Sequence, residues 1–130
     1  VTVGRGYSYP TAMEAALKLT ETTGVGVHAF SAADLLHGPV AMVSPGDPVI
    51  AVLGEGLGRR AMAPVLAALR ERRAEVLEVR SGGRPGAGVL RLPDGVAEAA
   101  SPVLQILPLQ RLALDVAVAH TQFIEPSART

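Results

Sequence analysis

The chain has 130 residues, enough for a single domain whose core takes about two-thirds of the unfolded chain's surface out of water. Twelve basic and twelve acidic side chains cancel and the pI is near 7.0, so no charge field exists to draw in nucleic acid or an anionic membrane. There is no cysteine or tryptophan and only two Phe and two Tyr, which excludes disulfides, thiolate nucleophiles and thiolate metal sites and leaves almost no aromatic platform for bases.

Short apolar runs alternate with helical patterns, the mark of βαβ units and a parallel sheet covered on both faces. Val1 to Arg5 reads as a strand and Gly6 to Tyr9 as a turn. Pro10 suits the first helical position, and the helix it opens runs to about Thr23 with Ala12, Met13, Ala16, Leu17 and Leu19 on its apolar side. Val25 to Phe30 is a second strand. Ser31 caps a short helix to Leu36, which His37-Gly38-Pro39 ends, and a linker leads through Pro45-Gly46-Asp47. Pro48 to Leu53, nearly continuous in apolar residues, is a central strand buried on both faces. Gly54 to Gly58 turns the chain into a helix from about Leu57 to Arg73.

Glu75 to Arg80 and Val89 to Leu92 are two further strands around the glycine-rich stretch Ser81 to Gly88. A last helix, Ser101 to Thr121, is apolar around most of its circumference, which calls for cover from both the sheet and a neighbouring domain or subunit. Residues 122 to 130 read as a loose tail. Gln105, Pro108, Gln110, Arg111 and Asp115 interrupt the longest apolar stretch, which argues against a membrane span, and no signal peptide is visible. Opening on Val1 and directly on a strand, the chain reads as a piece of something longer.

The basic residues are eleven Arg and a single Lys, Lys18. It stands with Thr11, Glu14 and Glu21 at spacings of three, four and three, which puts all four along one stripe of the first helix. A carboxylate beside an ammonium makes a usable base, because the cation holds it ionised and can steady a developing oxyanion. An ordinary solvated ion pair would look the same. His37 is mounted at a helix-to-loop junction stiffened by Gly38 and Pro39, where an imidazole could move a proton. His28 reads as a core or interface residue. His120 sits at a helix C-terminus, where positive charge is favoured. The histidine spacing suggests no metal site.

Gly4-Arg5-Gly6 fails as a dinucleotide fingerprint, since the third glycine falls at Tyr9. The loop Gly54-Glu55-Gly56-Leu57-Gly58-Arg59-Arg60 joins a strand to a helix and could bind an anion through its amides, or be a flexible loop with surface arginines.

Taken together, Gly4-Arg5-Gly6, the run Pro10 to Glu21 and His37-Gly38-Pro39 sixteen residues later resemble the sugar isomerase (SIS) family. The similarity is greatest to the second SIS domain in the isomerase half of glucosamine-6-phosphate synthases and related deaminases, and it extends through Pro48 to Val52 and Pro108 to Leu114 to about Ala119. This resemblance implies a three-layer α/β/α sandwich with a five-stranded parallel, flavodoxin-like sheet, formed by residues 1–121. It implies interconversion of a ketose phosphate with an aldose or 2-amino-aldose phosphate by proton transfer between C1 and C2, with no metal or redox cofactor, in the cytoplasm. By the same resemblance Glu21 is the base, Lys18 supports it, and His37 assists ring opening across a subunit interface. Arg5, Thr11 and Glu14 are the candidate substrate-binding residues. The expected partners are a phosphosugar and another SIS domain or a second copy of the chain.

The sequence departs from the family at Thr20, where a second Lys is common, and at His28 and Asp34, where Glu is common. No tail lysine is evident, and Arg129 is the nearest basic residue to that place. The phosphate-holding Ser/Thr loops of the family's first SIS domain are missing as well. These departures keep a second reading open, a module that binds a phosphosugar without turning it over.

Overall fold

A computed structural model describes residues 1–124. Five strands, β1 (Thr2–Gly4), β2 (Ala29–Ser31), β3 (Pro48–Val52), β4 (Glu75–Ser81) and β5 (Val89–Leu92), form one sheet in the order β2-β1-β3-β4-β5, every neighbouring pair parallel. Four helices cross it: α1 (Ser8–Thr23), α2 (Ala32–Leu36), α3 (Gly56–Glu71) and α4 (Ser101–Ile124). This is the flavodoxin-like order expected of the sequence.

Strand alternation sorts the core into two layers. Val49 and Ala51 of β3, and Leu53 just beyond it, face α2 and α3, where Leu35, Met62, Val65 and Leu69 close over them. Ile50 and Val52 point the other way, with Val79 and Leu92, onto Ala12 and Ala15 of α1 and Leu109 of α4. Burial of β3 on both faces follows from these two sets. The buried Thr2 hydroxyl donates to the Ala12 carbonyl at 2.7 Å and so pins α1 to the sheet. Gly4 lets the first turn of α1 abut β1: a β-carbon there would fall 2.5 Å from the Ser8 carbonyl oxygen.

Several boundaries differ from the sequence reading, each for a local reason. The helix α1 begins at Ser8, two residues ahead of Pro10, because the first turn leaves its N–H groups unbonded and tolerates proline at the third position as at the first. Strand β2 has three residues, not six. Its partner β1 offers only three to pair with, and Val27 N–H instead donates to the Thr20 hydroxyl at 3.1 Å. Pro39–Met42, read as linker, is a turn of 3₁₀-helix. The helix α4 continues to Ile124, so residues 122–124 belong to it and not to a tail; the rest of that tail, with Arg129, lies outside the described residues.

Among the described residues of α4, one stripe is buried within the chain, at Ser101, Gln105, Leu109 and Ala113. Val103, Leu107, Leu114 and Val118 stand exposed on its outer side. By length and composition α4 could cross a membrane. It instead lies on α1 and the sheet, with an exposed Arg111–Asp115 ion pair at 2.9 Å.

Candidate functional site

The stripe on α1 is real for three of its four residues. Lys18 Nζ lies 2.9 Å from Glu21 Oε2 and 3.8 Å from Glu14 Oε1, and the three side chains are 39%, 52% and 40% exposed, open to a ligand from solvent. The hydrogen bond to Glu21, then the charges of Glu21 and Glu14, raise the Lys18 amine above its ordinary value. Lys18 is therefore a fixed cation at neutral pH, with no free lone pair. The last turn beneath it is held by its threonines: Thr22 donates to the Lys18 carbonyl at 2.7 Å and Thr23 to that of Leu19 at 2.6 Å. Gly24, in the left-handed region, ends the helix.

Thr11 does not share that exposed stripe. It lies within about 20° of Lys18 around the helix but two turns nearer the N-terminus, where α4 covers it. Thr11 is 4% exposed, and its hydroxyl donates to Gln105 Oε1 at 3.1 Å. Gln105 is wholly buried and its amide donates to Ser8 Oγ at 2.8 Å and Ser101 Oγ at 3.3 Å, so one side chain ties the N-terminal ends of α1 and α4 together. Sequence reasoning treated Gln105 only as an interruption. Its place on the stripe of Ser101, Leu109 and Ala113 was the available signal, since a polar residue on a buried stripe needs partners.

His37 is the exposed C-cap of α2, its N–H donating to the carbonyls of Ala33 and Asp34, each at 3.2 Å. Because α1 and α2 cover opposite faces of the sheet, one chain does not bring His37 beside Lys18 and Glu21. Among the described residues, no hydrogen bond or ion pair joins His37 to either. Asp34 is used locally: it accepts from Ser31 Oγ at 2.7 Å while its N–H donates to that oxygen at 3.2 Å. Arg5 is exposed where β1 ends. His28, expected in a core or interface, is exposed in this chain, its ring tilted against Phe30 at 6.4 Å.

Two further features surround these residues. An apolar cavity of about 320 Å³ lies between the C-terminal halves of α1 and α4, lined by Leu19, Val25, Ile50, Leu77, Leu112 and Val116, with few of the polar groups a phosphosugar needs. The Gly54–Gly58 loop at the other end of the sheet, a candidate anion binder from sequence, receives the carboxylate of Glu98, which sequence reasoning did not single out.

The family described as SIS domain matches residues 1–79. The glutamine–fructose-6-phosphate aminotransferase [isomerizing] of Tropheryma whipplei strain Twist is 36% identical over 124 residues, covering 88% of this chain and 20% of that protein. The same enzyme of Methanothermobacter thermautotrophicus is 35% identical over 121 residues, covering 89% and 20%. The chain thus spans about a fifth of the curated relatives it matches. Among solved structures, the C-terminal domain of glucosamine-fructose-6-phosphate aminotransferase from Francisella tularensis superposes with a TM-score of 0.83 at 28% identity, over 92% of this chain and 35% of that one. The tagatose-6-phosphate ketose/aldose isomerase of Escherichia coli shares the fold, with a TM-score of 0.74 at 22% identity over 91% of this chain and 35% of that one.

Proposed function

This chain belongs to the SIS domain family, and on that premise we propose that it is the acid/base half of a cytoplasmic phosphosugar isomerase, synthase or deaminase acting on fructose 6-phosphate or glucosamine 6-phosphate. The observation that carries the reading is the solvent-open stripe of α1, where the single lysine of the chain is held 2.9 Å from Glu21 and 3.8 Å from Glu14.

In this mechanism Glu21 takes a proton from one carbon of the C1–C2 pair and returns it to the other through an enediol or enolamine. Lys18, kept protonated by its two carboxylates, steadies the negative charge that develops on the neighbouring oxygen. Arginine would spread the same charge over a wider fork and misplace it, so Lys18→Arg lowers turnover. Glu14 orients the ammonium from the turn above. Thr11 fixes the helix from inside, and Arg5 lies apart, at the far end of α1 near the end of β1. His37 assists ring opening from a second copy of the chain or a companion SIS domain, because its own chain places it across the sheet from Glu21. The exposed apolar side of α4 offers a surface for such a neighbour.

That separation of His37 from Glu21 also supports the second reading, a domain that binds a phosphosugar without turnover. Fructose 6-phosphate offered to the full-length protein separates the two. Conversion to glucose 6-phosphate, or to glucosamine 6-phosphate with ammonia, is the expected result, and saturable binding with no product refutes it.

A further inference from the structure

In an open parallel sheet of this strand order, ligands ordinarily enter the crevice beyond the carboxyl ends of β1 and β3, where the connections diverge to opposite faces. Here that crevice is floored by the Gly54–Gly58 loop and the first turn of α3, a 16-residue helix whose unbonded amides favour an anion. One is already in place. Glu98, in the 3₁₀ turn ahead of α4, accepts from Gly58 N–H through Oε1 at 3.1 Å.

The glycines are fitted to this carboxylate. A β-carbon at Gly56 would fall 2.8 Å from Glu98 Oε2, and one at Gly58 would fall 2.7 Å from Oε1 and 3.2 Å from the Arg5 carbonyl oxygen. The mount of Glu98 is itself tied down. Ser101 Oγ donates to the Glu98 carbonyl at 2.7 Å and accepts from the buried Gln105 amide. Arg59, which a phosphate at α3 would recruit, is engaged elsewhere, paired with Glu55 at 3.4 Å and donating to the Ser81 carbonyl at 3.1 Å. The inner void between Leu53, Gly54, Ser81 and Gln105 is about 10 Å³, room for about one water, while the wider hollow of about 600 Å³ on the outer side of the loop is open to solvent and lined by the carboxylate-bearing Glu55 and Asp94 beside Arg59.

We infer that Glu98 is a built-in anion that keeps this crevice closed to phosphate, so that the phosphate of any substrate is held by a surface other than the Gly54–Gly58 loop. The inference is independent of whether the domain turns a substrate over. It is tested by titrating inorganic phosphate, at constant ionic strength, into the isotope-labelled chain and following the amide resonances of Gly56, Leu57 and Gly58. Wild type is expected to show no saturable shift at these amides. Glu98→Ala is expected to show one, with apparent affinity at least about tenfold above any wild-type response. Glu98→Ser removes the carboxylate and vacates the same space, and it supplies the same reading if the alanine variant does not fold. Equal responses in wild type and variants overturn the inference, as does the absence of a response in every folded variant.

Discussion

Replacing Gln105 with leucine is expected to destabilise the fold by about 1–4 kcal/mol. Gln105 is wholly buried, accepts from Thr11 Oγ1, and donates to the hydroxyls of Ser8 and Ser101, which are 1% and 6% exposed. Ser101 keeps its bond to the Glu98 carbonyl. Ser8 and Thr11 lose a partner where water does not reach, at about 1–3 kcal/mol each, and the added apolar burial returns about 1–2 kcal/mol. For a domain of this length the net corresponds to a fall in Tm of roughly 10 °C. Denaturant melts of Gln105→Leu, Thr11→Val and the double variant measure it. Because the double variant removes both ends of the Thr11–Gln105 bond, it should lose less than the sum of the two, by about 1 kcal/mol or more. A Gln105→Leu cost below about 0.5 kcal/mol, or strict additivity, would refute the view that this network joins α1 to α4.

Leu35→Ala, at a fully buried position between α2 and α3, is expected to cost about 2–5 kcal/mol in the same melts. Arg73, in the left-handed region at φ 58° just past α3, carries strain that glycine would not, so Arg73→Gly should stabilise by about 0.5–1 kcal/mol. Lys18 has a folded-state pKa above its ordinary value, so its pairing contributes fully below the ordinary lysine range and is lost as pH rises through the higher folded value. Carbon NMR of the lysine side chain should accordingly show titration at higher pH in wild type than in Glu21→Gln.

The sheet was legible in the sequence where one element's own residues set it. Pro48–Val52 carries apolar residues on both faces, and Val89–Leu92 stands between glycine and proline breaks. The second strand was overread because its length depends on a partner, the three residues of β1, and not on its own alternating apolar pattern. Spacing placed Glu14, Lys18 and Glu21 together correctly, but Thr11, two turns ahead of Lys18 on nearly the same line, is covered by α4, a helix more than ninety residues away. Glu98 was invisible for the same reason: a lone glutamate acquires its meaning only when the fold brings it back, 40 positions along the chain, to Gly58 in the Gly54–Gly58 turn.

The central claim, that Glu21 moves the proton between C1 and C2, is tested most directly by exchange of solvent deuterium into C1 of fructose 6-phosphate, followed by proton NMR with the full-length protein. That exchange reports the proton transfer whatever the nitrogen source. Wild type is expected to wash deuterium into C1, and Glu21→Gln to slow it about 10²–10⁴-fold. Exchange at the wild-type rate in Glu21→Gln would contradict the assignment.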